Sequence, residues 1–137
     1  AATHFTEETR PDFQILFYPV VTMTDYTHQG SKDNLLGKNP SEELVKLYSN
    51  ELQVNEQTPP AFIMHSSDDK AVPVGNSVDY YTALVKNGVP ASLHIYPIGG
   101  HGWGFASERL VGKGKDKLAA HRKEFYTALE GWLENIR

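Results

Sequence analysis

The chain has 137 residues, enough for one domain with a single modest core, and its 39% hydrophobic and 22% charged residues are ordinary for a globular protein. A net charge of −4 gives no support for a nucleic-acid partner, and the absence of cysteine excludes disulfides, thiolate metal sites and cysteine catalysis. No apolar run approaches the length of a membrane span.

The first predicted element is a strand in "DFQILFYPVV" (Asp12 to Val21), where Ile15, Leu16, Phe17 and Tyr18 form the continuous apolar run of a strand buried on both faces. Pro19 cannot donate to a ladder and ends it. A polar connection, Thr22 to Lys38, follows. "NPSEELVKLYSN" then predicts a short helix with Asn39 as N-cap, Pro40 at the first helical position and Glu42 closing the cap, its apolar stripe being Leu44, Leu47 and Tyr48. "PPAFIMHSS" (Pro59 to Ser67) is the second strand. A helix from about Asn76 to Lys86 carries Val78, Tyr81, Leu84 and Val85 on one side, with Asn76 or Ser77 as cap and Asn87-Gly88 as its close. "ASLHIYP" (Ala91 to Pro97) is the third strand, its alternation placing it near a sheet edge. "GKGKDK" (Gly112 to Lys117) reads as a solvated loop. The last helix, roughly Asp116 to Ile136, spaces Leu118, Phe125, Leu129, Trp132 and Ile136 for a core face.

Strands alternating with helices predict an α/β fold with three parallel strands and flanking helices. Chemistry in such sheets sits beyond the carboxyl ends of the strands. Two loops fall there, "HSSDDKAVP" (His65 to Pro73) and "GGHGWGF" (Gly99 to Phe105). A carboxylate on the first can accept the Nδ1 proton of a histidine on the second, fixing its tautomer and stabilising the imidazolium, which supplies two members of a Ser-His-Asp apparatus. His4, His28, His94 and His121 read as surface or packed residues. No metal-ligand spacing is present, and no cofactor is expected.

"HSSDDKAVP" resembles the His-Gly-x-x-Asp-x-x-Val-Pro loop of the α/β-hydrolase superfamily, and "GGHGWGF" resembles its catalytic-histidine loop. "RPDFQILFYPVVTM", "LYSNELQV" and "TPPAFIMHSSDD" are similar to one branch, the acetyl xylan esterases and related carbohydrate esterases. The resemblance spans the whole chain but only the C-terminal half of the family fold, so that residues 1–137 form a partial α/β-hydrolase domain. It puts the catalytic acid at Asp69, with Asp68 as the alternative, and the general base at His101. His65 falls on the motif's leading histidine, a supporting residue in the family. Ser66 departs from the motif's glycine. Trp103 and Phe105, beside the base, line an acyl or sugar subsite or pack the loop against the last helix. Thr22 to Lys38 falls where the family has a variable cap over the site.

The family's nucleophile precedes the acid on a Gly-x-Ser-x-Gly elbow, and no such motif occurs here. "GNSVD" (Gly75 to Asp79) lacks the closing glycine and follows the acid loop. The resemblance makes "AATHF" the tail of the helix after the elbow, with the serine and the oxyanion-hole amides outside residues 1–137. The expectation is therefore a segment of a serine ester hydrolase acting on acyl esters of xylan-type carbohydrates, exported if the carbohydrate-esterase resemblance holds, and inactive by itself. The exposed edge around Gln14 to Tyr18 invites self-association. Two other readings stay open: a prolyl-oligopeptidase-type serine peptidase, and a non-catalytic α/β interaction domain. A flavodoxin-like phosphate binder lacks its glycine-rich strand-to-helix turn.

Overall fold

The computed structural model describes residues 1–104, 116 and 118–136. Three strands, β1 (Gln14–Phe17), β2 (Ala61–Ser66) and β3 (Ala91–Tyr96), form one parallel sheet in that order. Gln14 stands opposite Ala61 and Ala61 opposite Ala91, so all three strands end at a common rim. The central strand is buried along its whole length, because helices cover both of its faces. Phe62 and Met64 face one layer with Leu118, Phe125 and Leu129; Ala61 and Ile63 face the other with Tyr80, Leu84 and Val89. Each large apolar side chain fully buried in this way contributes about 2 kcal/mol.

The predicted strands and their order stand, and β3 lies at an edge as its alternation implied. β1 lies at the opposite edge and is half-buried beyond Gln14, because only β2 flanks it among the described residues. Residues Ala1 to Phe5, expected as a helix tail, are not helical; instead His4 stacks on Tyr48 at 5.6 Å.

The connection after β1 contains an unanticipated helix, α1 (Gln29–Leu36), capped by the ring of His28, whose Nδ1 accepts from the Ser31 N–H at 3.2 Å. The next helix, α2 (Glu42–Tyr48), starts later than predicted. Its cap is Ser41, not Asn39: the Ser41 hydroxyl accepts from the Leu44 N–H, and Pro40 stays outside. Leu44, Leu47 and Tyr48 are exposed rather than buried.

The helix after β2, α3 (Gly75–Lys86), buries Asn76, Ser77, Tyr80 and Leu84, so of the predicted stripe Leu84 is buried, Tyr81 packs partly against the core, and Val78 and Val85 are exposed. Polar residues take the inner face because groups remote in the chain satisfy them. Asn76 Oδ1 accepts from the Val21 and Thr22 N–H groups at 3.0 and 3.1 Å, tying α3 to the chain leaving β1. Asn76 and Ser77 are therefore interior residues, not caps. Gly88 closes α3 at φ +72°, a backbone conformation that favours glycine.

A 3₁₀ turn at Ala119–His121 leads into α4 (Arg122–Asn135), which buries Phe125 and Leu129. Asp116 was expected in a solvated loop. It instead forms a part-buried ion pair with Arg122, whose Nη1 also donates to the Gly104 carbonyl at 2.9 Å. The rest of that loop lies outside the described residues.

Candidate active site

The acid loop leaves the end of β2 and turns on Asp69. Asp69 Oδ1 accepts from the Ala71 and Val72 N–H groups, both at 2.9 Å, the arrangement by which an aspartate closes its own turn. This fixes the carboxylate and leaves Oδ2 facing the histidine loop. His101 Nδ1 lies 2.8 Å from Asp69 Oδ2, where an Nδ1–H donates. The Asp69 side chain is fully shielded from solvent while that of His101 is 39% exposed. Burial pushes the Asp69 carboxyl up, but the Val72 N–H, the His101 ring and the Ala71 N–H outweigh it and hold the group below its ordinary range.

Asp68 points elsewhere. Its Oδ1 accepts the Gly100 N–H at 2.7 Å, so the neighbouring aspartates hold one loop in two ways, Asp69 by the ring and Asp68 by the backbone.

Backbone geometry accounts for the glycines around His101. Gly99 sits at φ +145°, and a Cβ there would stand 2.4 Å from Ser66 Oγ. Gly102 sits at φ +83° as the chain turns back beneath the ring. Trp103 is 3% exposed; its indole N–H donates to Ser66 Oγ at 2.7 Å and its ring packs edge-on against Phe125 of α4. Of the two uses open to Trp103 from the sequence, this is the packing one. Phe105 lies outside the described residues.

Three residues to which the sequence assigned no part in the site support it. Ser66, a departure from the family motif, is the acceptor that anchors Trp103. Ser77 bonds His65 Nδ1 at 2.7 Å, while His65 Nε2 lies 2.9 Å from the Val72 carbonyl and 3.3 Å from Asp69 Oδ2. The bond to the Val72 carbonyl requires an Nε2–H, so Nδ1 accepts the Ser77 hydroxyl proton. Burial lowers the His65 pKa, although the Val72 carbonyl and Asp69 oppose that shift. Tyr18, past the end of β1, packs against His101 with ring centroids 4.5 Å apart.

This arrangement is chemically able to act as a base with its orienter: with Nδ1 committed to Asp69, the Nε2 lone pair of neutral His101 can take a proton, and the carboxylate can stabilise the charge that results. His94 and His121 pack against Phe62 and Tyr96, and His4 and His28 serve as described above. No group of three or more His, Asp and Glu side chains is placed to hold a metal ion among the described residues.

Comparison with known proteins adds to this geometry. Residues 13–127 match the prolyl oligopeptidase family. The chain is 44% identical over 105 residues to an acetylxylan esterase of Xylanibacter ruminicola, covering 73% of this chain and 22% of that protein. It is 42% identical over 101 residues to endo-1,4-β-xylanase B of Butyrivibrio fibrisolvens, covering 74% and 16%. The crystal structure of an acetyl ester-xyloside bifunctional hydrolase from Caldicellulosiruptor lactoaceticus aligns with a TM-score of 0.79 at 43% identity, covering 93% of this chain and 43% of that one. The chain thus spans about a fifth of the two curated relatives' lengths and under half of the crystallised hydrolase.

Proposed function

Because this chain belongs to the prolyl oligopeptidase family, we propose that it contributes the acid and the base of a serine hydrolase that cleaves acyl esters on xylan-type carbohydrates. The observation that carries this is the 2.8 Å contact between His101 Nδ1 and the buried Asp69 carboxylate. His101 Nε2 removes the proton of a serine hydroxyl supplied from outside these 137 residues. The alkoxide attacks the ester carbonyl, and the same nitrogen returns the proton to the departing sugar hydroxyl. Water, deprotonated in turn by His101, releases the acid from the acyl-serine. Asp69 stays ionised throughout, holding the tautomer and stabilising the imidazolium. The substrate assignment draws support from the acetylxylan esterase and the acetyl ester-xyloside hydrolase, each similar to this chain at above 40% identity.

The family match keeps a peptidase in view as the second reading. One experiment addresses both, with the protein carrying the serine assayed against acetylated xylan and against prolyl peptides. The proposal expects turnover of the acetyl ester and none of the peptide. It further expects Asp69→Asn and His101→Ala each to lower ester kcat by roughly 10⁴-fold, as loss of a triad partner does. Peptide cleavage without ester cleavage would favour the peptidase, and ester turnover unchanged in His101→Ala would remove His101 from the mechanism. The 137-residue chain alone is expected to be inactive on esters, since it lacks a nucleophile elbow, and to self-associate through the open edge of β1.

A further inference from the structure

We propose that Tyr18 is the positioning residue that holds the His101 imidazole on the Asp69 carboxylate, the phenol ring acting as a wall against the imidazole. The inference rests on the Asp69–His101 reading above and deepens it.

Its first ground is backbone conformation. Tyr18 is the one non-glycine residue with positive φ, at +38°, among the described residues, and it precedes Pro19. A bulky side chain is unfavourable there, and a following proline biases its predecessor towards extended backbone. Strain of this kind persists only where surrounding structure over-determines it. The determinant on one side is the strand: the Tyr18 N–H donates to the Met64 carbonyl at 2.7 Å, the last rung of the ladder between β1 and β2. The determinant on the other side is the histidine loop.

Three residues of that loop meet the one phenol. The ring lies 4.5 Å from the His101 ring, with planes inclined at 61°, and 5.4 Å from the Trp103 ring at 74°. The hydroxyl lies against the Gly104 backbone, where a Cβ on Gly104 would stand 2.9 Å from it. His101 needs such a wall. Its side chain is 39% exposed, and a single hydrogen bond through Nδ1 leaves the ring free to swing about that bond. Trp103 is buried and reaches Ser66, so among the described residues the phenol is the aromatic ring that touches the imidazole itself.

The test is proton NMR on the 137-residue chain, observing the downfield His101 ring N–H that donates to Asp69 and its exchange with water. Tyr18→Gly removes the ring and suits positive φ, so the backbone tolerates it. Tyr18→Asn, whose side chain also tolerates left-handed backbone, repeats the test with a Cβ present. Tyr18→Phe keeps the wall and loses only the hydroxyl. The expected result is a signal in wild type and in Tyr18→Phe, and exchange about tenfold faster or more in Tyr18→Gly and Tyr18→Asn at unchanged thermal midpoint, reporting local release of the ring. Unchanged exchange in folded Tyr18→Gly or Tyr18→Asn would overturn the proposal, as would a Tyr18→Phe loss equal to theirs. Asp69→Asn separates the two layers of the argument. It should abolish the wild-type signal; if the signal survives, the Asp69–His101 pairing fails and the role of Tyr18 falls with it. If Asp69→Asn abolishes the signal while the Tyr18 variants leave it alone, only the role of Tyr18 fails.

Discussion

The acid loop and the histidine loop meet at one bond but are built in opposite ways. The acid loop holds itself: Asp69 accepts from two amides within its own turn, and its own N–H lies 3.3 Å from the Ser66 carbonyl. The histidine loop is held from outside. Asp68 takes the Gly100 N–H, Ser66 takes the Trp103 indole N–H, the Tyr18 ring packs on the rings of His101 and Trp103, and Arg122 donates to the Gly104 carbonyl. The difference teaches where each function is encoded. A local motif is enough to aim the carboxylate, whereas the imidazole loop is held by four side chains from outside it, so damage far from His101 in sequence should still displace it.

Close packing of the outside supports is the most direct way to break the contrast. Gly99→Ala combines unfavourable φ with a Cβ 2.4 Å from Ser66 Oγ, and should cost about 3 kcal/mol in urea unfolding. Adding Ser66→Gly, which removes the colliding hydroxyl, should recover part of that loss; a double variant less stable than Gly99→Ala would show that Ser66 anchors Trp103 more than it obstructs residue 99.

A smaller effect sharpens the account of the acid side. The folded-state pKa values of His65 and Asp69 are both lowered, so the unfolded chain binds more protons as pH falls and stability declines with acidification. The His65 contribution is fully present above the ordinary histidine pKa of about 6.5 and fades below it, and the Asp69 contribution fades below the ordinary aspartate pKa of about 3.9. Half-buried His94, its pKa lowered by desolvation, acts in the same direction as His65. Thermal midpoints should fall between neutral pH and pH about 5, less steeply in His65→Gln; a wild-type midpoint that rises on acidification across that range would contradict the buried, neutral His65.

The smallest expected effect tests the clamp. Asp68→Ala frees the Gly100 amide at an exposed position, where water can replace the carboxylate, and should cost about 0.5–1 kcal/mol. Hydrogen exchange at Gly100 should quicken while exchange at Val72 stays as it was. Equal acceleration at both amides would mean that the two loops are not independently held.

Much of this organisation was legible in the sequence. The alternation of strands and helices gave the parallel sheet, and the resemblance of two loops to α/β-hydrolase motifs pointed to Asp69 and His101, which the fold brings to 2.8 Å; the burial expected for the apolar run of β1 belongs instead to β2. The remainder depended on partners remote in the chain. Asn76 and Ser77 bury polar side chains in α3 because Val21, Thr22 and His65 satisfy them, so an apolar stripe chosen by periodicity missed the inner face. The His28 cap gave no signal, since imidazole is not among the usual capping groups. Tyr18 read only as the last apolar residue before Pro19, because its partner His101 lies at the far end of the sheet's chain order.

The claim on which the account depends is that Asp69 fixes the His101 proton on Nδ1 and leaves the Nε2 lone pair for chemistry. Nitrogen-15 NMR of the imidazole in its neutral form measures this directly. The account predicts the Nδ1–H tautomer in wild type, and its loss in Asp69→Asn. A neutral His101 carrying its proton on Nε2, unaffected by Asp69→Asn, would contradict it.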